Sequence, residues 1–132
     1  MKDSKVRHAL RAALAAAGIV GLMAAGPAAS AHVGEVVARG TCSADSHWRL
    51  VLIEHRHVIG VGFQVKGGDL GDIWRVRIMH NGHVNFLGLR RTNAEGWFGV
   101  RSLARNTEGE DGFRARAVNI SSEEVCEGHA AI

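Results

Sequence analysis

Beyond residue 32 the chain repeats one pattern, short runs in which apolar side chains take every second position. Trp48, Leu50 and Leu52 alternate with Arg49, Val51 and Ile53, and Ile59, Val61, Phe63 and Val65 with Gly60, Gly62, Gln64 and Lys66. Trp74, Val76 and Ile78 alternate with Arg75, Arg77 and Met79, Phe98 and Val100 with Gly99 and Arg101, and Phe113, Ala115 and Ala117 with Arg114 and Arg116. Around Val84 the same rule puts Val84 and Phe86 on one side, Asn85 and Leu87 on the other. Successive strand side chains leave on opposite faces, so each run offers an apolar face to a core and a more polar face to solvent. No segment here sustains a helical period.

The breaks agree with strands. Asn81-Gly82 sits between His80 and His83 and joins two alternating runs, a strong hairpin signal because both residues tolerate positive φ. Gly67-Gly68-Asp69 and Asn93-Ala94-Glu95-Gly96 are turn clusters, 106–112 is a polar, acidic loop, and 121–124 is a short turn. A first strand near Val36–Thr41 and a last one around Cys126 bring the total to seven or eight. The connections are too short for crossover helices, so pairing is antiparallel. The predicted fold is all-β: an antiparallel β-sandwich of immunoglobulin-like architecture, or a small barrel.

The N-terminal segment follows a different rule. Lys2, Lys5, Arg7 and Arg11 precede an uncharged run from Ala12 to Ala25, followed by Pro27 and the small residues Ala29-Ser30-Ala31. This is the order of a secretory signal peptide, with a helical apolar region shorter than the roughly 20 residues of a membrane span. Cleavage after Ala31 is expected. Residues 1–31 are then the leader and 32–132 a single secreted domain, extracellular and not held to the membrane.

Export changes how charge and cysteine are read. The 132-residue chain holds 16 Lys+Arg and 13 Asp+Glu, a formal net charge of +3. The leader's four cations and Asp3 account for all of it, so twelve basic and twelve acidic side chains remain in 32–132. That balance gives no support to a nucleic-acid partner held by bulk charge. Cys42 and Cys126 both lie in the exported part, where a disulfide is the default and only one intramolecular pairing exists. Without CxxC spacing they do not suggest a zinc site.

Three stretches carry a resemblance: Gly40-Thr-Cys-Ser to Trp48-Arg-Leu50, Trp74-Arg-Val-Arg-Ile to His80-Asn-Gly82, and Phe113-Arg-Ala-Arg-Ala-Val-Asn119 to Glu124-Val-Cys126. With the leader, the chain resembles a group of small secreted actinobacterial single-domain all-β proteins of unassigned function. The resemblance implies an extracellular β domain and carries no functional residue over. Six positions separate Cys42 from Trp48, whereas antibody-type domains place their Trp on a later strand than the first Cys, so "immunoglobulin-like" describes architecture alone.

Three sets of side chains are candidates for chemistry. Arg75, Arg77, Arg101, Arg114 and Arg116 occupy the polar positions of alternating runs. Brought together they form an arginine-bearing sheet face, whose planar donor forks suit carboxylate or phosphate on an acidic glycan, wall polymer or protein. The plainer reading is a solvated face that discourages edge aggregation. Trp97, out of phase with Phe98 and Val100, is the tryptophan expected at the surface as a ligand platform, while Trp48 and Trp74 share phase with core residues. His80 and His83 face one another across the hairpin turn, near enough to share a metal, although two ligands leave zinc incomplete. His32 would become the amino terminus, where amine and ring together chelate copper.

There is no G-x-S-x-G, Walker loop or H-E-x-x-H. The favoured function is a secreted, non-enzymatic β-sandwich binding or surface-associated module using the arginine face, with no cofactor. The alternative is a small extracellular enzyme, copper-dependent through His32 or ribonuclease-like.

Overall fold

The computed structural model describes residues 34–132; the segment expected to be a signal-peptide helix, the expected cleavage site and His32 lie outside the described residues. Eight strands follow in chain order: β1 (Glu35–Thr41), β2 (His47–Glu54), β3 (Val58–Lys66), β4 (Ile73–His80), β5 (His83–Arg91), β6 (Trp97–Arg105), β7 (Gly112–Asn119) and β8 (Val125–Ala131). They form two four-stranded antiparallel sheets, β1-β2-β3-β6 and β5-β4-β7-β8. The fold is the antiparallel all-β sandwich that the alternation predicts, and the described residues contain no helix.

The core lies between the sheets. The apolar phases of β3, β4 and β7 are buried, as are Leu50 and Leu52 on β2 and Phe98 and Val100 on β6. Each fully buried large side chain of this kind contributes about 1.5–3 kcal/mol of transfer free energy. Trp74 is wholly buried and packs on Phe98 from the facing sheet at 5.3 Å between ring centroids; its Nε1 donates to Thr92 Oγ1 at 3.0 Å. Trp48 is half-buried in a slot between β1 and β8. A Cβ on Gly40 would sit 2.6 Å from its ring, and one on Gly128 2.4 Å, so these two glycines create the slot.

Two corners close the sandwich. At one, the Cys42–Cys126 disulfide ties the turn after β1 to β8, with Ser43 N donating to Val125 O and Val125 N to Ser43 Oγ. The sequence separation of 84 corresponds to about 4–5 kcal/mol in the chain-entropy view of disulfides. At the other, Asn85 on β5 reaches Ser102 and the Leu103 carbonyl on β6.

The β4–β5 hairpin turns through Asn81 (φ 47°) and Gly82 (φ 81°), the left-handed pair expected from Asn-Gly. One expectation fails just beyond it. Ile78 pairs with Phe86 but Met79 with Val84, a bulge that leaves Asn85 without an opposite residue. The bulge resets the phase: Phe86 packs against the core while Val84 is exposed, so these two do not share an environment.

Candidate functional site

The strand order sorts the five candidate arginines. Alternation on β4 and β7 sends Arg75, Arg77, Arg114 and Arg116 outward, and because β4 and β7 are neighbours all four share the outer face of the second sheet. Arg77 pairs with Arg116, Arg75 with Val118 and Met79 with Arg114. On the β8 side, Glu127 pairs with Arg116 and answers two of them, at 3.3 Å from Arg114 Nε and 3.5 Å from Arg116 Nε. Arg75 and Arg77 enter no ion pair among the described residues. On the β5 side they adjoin the exposed Leu89 and Leu87. Like charges directly opposite on a ladder destabilise the sheet, and one shared, half-exposed carboxylate screens them weakly. An anion laid across Arg77 and Arg116 would relieve that repulsion.

Arg101 belongs elsewhere. It lies on β6, in the first sheet, and faces outward on the opposite side of the sandwich together with Trp97. Cross-strand register places Glu35, Ile53, Gly60 and Leu103 in one row, Val37, Val51, Gly62 and Arg101 in the next, and Arg39, Arg49, Gln64 and Gly99 in the third. Trp97 is 38 % exposed, as its phase predicts, and its indole reaches over Gly99. The arginine set is therefore two surfaces.

The histidine pair is present in register, His80 opposite His83, but its chemistry is committed. His80 Nε2 lies 2.6 Å from Asp111 Oδ1, and the ring stacks on Phe113 at 4.6 Å. Asp111 is fully buried and also accepts from Asn81 Nδ2, Thr107 Oγ1 and Thr107 N. Burial alone would raise its pKa; the bonds from Thr107, His80 and Asn81 outweigh it and hold the carboxyl at about 2, below the ordinary 3.8. An ionised Asp111 only accepts, so His80 Nε2 carries the proton and donates it there. His83 is exposed at the hairpin tip. Among the described residues no group of three His, Cys, Asp or Glu is gathered to hold a metal ion. His32, the copper candidate, lies outside the described residues.

No family model, no curated protein and no solved structure matches this chain.

Asp111 is the residue that strand periodicity does not single out. It sits in the 106–112 loop, which reads from sequence as polar and acidic. The available signal is local: Thr107 four residues before an Asp, in a turn, offers both hydroxyl and amide to that carboxylate. His80 touches Asp111 and Phe113, and its hydrogen-bonding neighbours among the described residues include no Ser, Cys or second His. The pair fastens the β4–β5 hairpin to the loop before β7.

Proposed function

We propose that residues 32–132 are an extracellular, non-enzymatic binding module, exported by the leader, that holds an acidic polymer or acidic protein surface on the outer face of β4 and β7. The observation that carries this reading is the opposition of Arg77 and Arg116, with Arg75 and Arg114 beside them and a single carboxylate, Glu127, to answer four guanidiniums. Paired guanidinium forks suit phosphate or carboxylate oxygens spaced along a chain. The buried disulfide agrees with an oxidising compartment. The His80–Asp111 pair, satisfied within the fold, supports a module that binds over one that turns a substrate over.

The test uses polyphosphate as a probe with residues 32–132 in dilute buffer. Arg77→Ala with Arg116→Ala should weaken binding at least about tenfold, as loss of central charge-assisted contacts does. Binding should also fall steeply with added salt. Unchanged affinity in the double variant would remove the arginine face from the reading.

A further inference from the structure

The opposite face of the sandwich carries a groove that the arginine site does not use. A cavity of about 830 Å³ lies over the outer side of β3, between Val51 and Ile53 of β2 and Arg101 and Leu103 of β6, with Glu35 and Trp97 at its limits. Across Arg49 and Gln64 it meets a second depression of about 410 Å³, lined by Arg39, Thr41, His47 and Lys66. With Thr41, His47, Lys66 and Trp97 as a fourth row, the register rows span about 20 Å along the strands.

The floor explains why the groove exists. Gly60 and Gly62 occupy strand interior positions, where glycine weakens a sheet. Neither has a positive φ, and the β2–β3 and β3–β6 registers run without a bulge. Nor is either crowded: an added Cβ would meet its nearest neighbour at 3.8 Å at Gly60 and 4.0 Å at Gly62, ordinary contact distances. Gly40 and Gly128 make room for Trp48; Gly60 and Gly62 make room for nothing inside the protein. What their missing side chains leave is open volume beside an exposed indole.

The lining selects the occupant. Over the floor of the groove a peptide strand cannot be added, because the backbone of β3 is already paired on both edges, with β2 and with β6. A second copy laid face to face would press this basic face, with Arg39, Arg49, Lys66 and Arg101, against another of the same sign. A sugar chain meets the lining group by group. The apolar face of a pyranose ring fits the indole of Trp97, its hydroxyls suit Gln64 and Glu35, and carboxylates on the chain suit Arg49 and Arg101, which enter no ion pair among the described residues. The second depression adds Arg39 and Lys66 and no acidic side chain.

We propose that this groove binds an anionic polysaccharide, with one pyranose ring stacked on Trp97 and its carboxylates held by Arg49 and Arg101. The site is independent of the arginine face on β4 and β7.

Polygalacturonate oligomers are the probe, titrated into residues 32–132. The wild-type domain binds them, and Trp97→Ala weakens binding at least about tenfold. Gly62→Val fills the floor with a side chain that suits a strand; it should melt at or above the wild-type temperature yet lose the oligomer. Arg77→Ala with Arg116→Ala should leave the Trp97-dependent part of oligomer binding, read by indole fluorescence, intact, and Trp97→Ala should leave polyphosphate binding by the arginine face intact. This crossed result separates failure of the groove from failure of the arginine face. No binding by the wild type, or wild-type affinity in Trp97→Ala or in a folded Gly62→Val, would overturn the proposal. Equal affinity for a neutral glucan would overturn its anionic part.

Discussion

Asp111 gathers three side chains and a backbone amide onto one carboxylate, and its own backbone pairs in both directions with Ile132. One residue thus joins the β4–β5 hairpin, the loop before β7 and the end of the chain. Because its folded pKa of about 2 lies below the ordinary 3.8, the stabilisation is complete above about pH 4 and is lost as the pH falls through about 2. The shift corresponds to about 2 kcal/mol. Asp111→Asn should therefore be less stable at neutral pH, and its urea midpoint should change less than wild type between pH 4 and pH 2. Parallel acid profiles for the two proteins would show that the carboxylate's charge is not what the bonds serve. None of this is visible in strand periodicity: the chain shows an acidic loop, and only the fold brings His80 and Asn81 to it.

At the scale of elements, alternation located the strands because each one buries a single face, and the period of two survives wherever the backbone stays regular. It fails at β5, where the bulge opposite Ile78 and Met79 inserts Asn85 and shifts the phase of Val84 against Phe86. A bulge is a relation between two strands and leaves little trace in either alone. The same limit explains the arginines. Alternation points Arg75, Arg77, Arg101, Arg114 and Arg116 outward, but which of them share a face depends on β7 lying beside β4 and β6 beside β3. That order is set by non-local pairing. The Trp48 slot is equally non-local: Gly40 on β1 and Gly128 on β8 serve a residue on β2. Gly128→Ala should cost about 1–3 kcal/mol by overpacking, measured by thermal or urea unfolding. A neutral result would mean that Trp48 leaves the slot without loss.

Over the described residues as a whole, charge is sorted although the total is zero. Every Lys and Arg except Arg56 lies in a strand, whereas the only acidic strand residues are Glu35, Glu54 and Glu127. Apart from Arg90, which lies over Phe86 in the inward phase of β5, lysine and arginine line the outer faces of the sheets, and most of the acids lie in the connecting loops. An equal count of opposite charges therefore conceals two basic faces, a distribution that composition alone cannot report. Such faces attract anionic partners at low ionic strength more strongly than a net charge of zero suggests. The most direct measurement is a titration of isotopically labelled residues 32–132 with polyphosphate, followed by amide and guanidinium shifts. The expected result is that the largest shifts, and the first to saturate, fall on Arg75, Arg77, Arg114, Arg116 and their neighbours on β4 and β7, with those on the face of β3 weaker. Shifts centred on His80 and Asp111, or spread evenly over the loops, would contradict a binding module that works through that face.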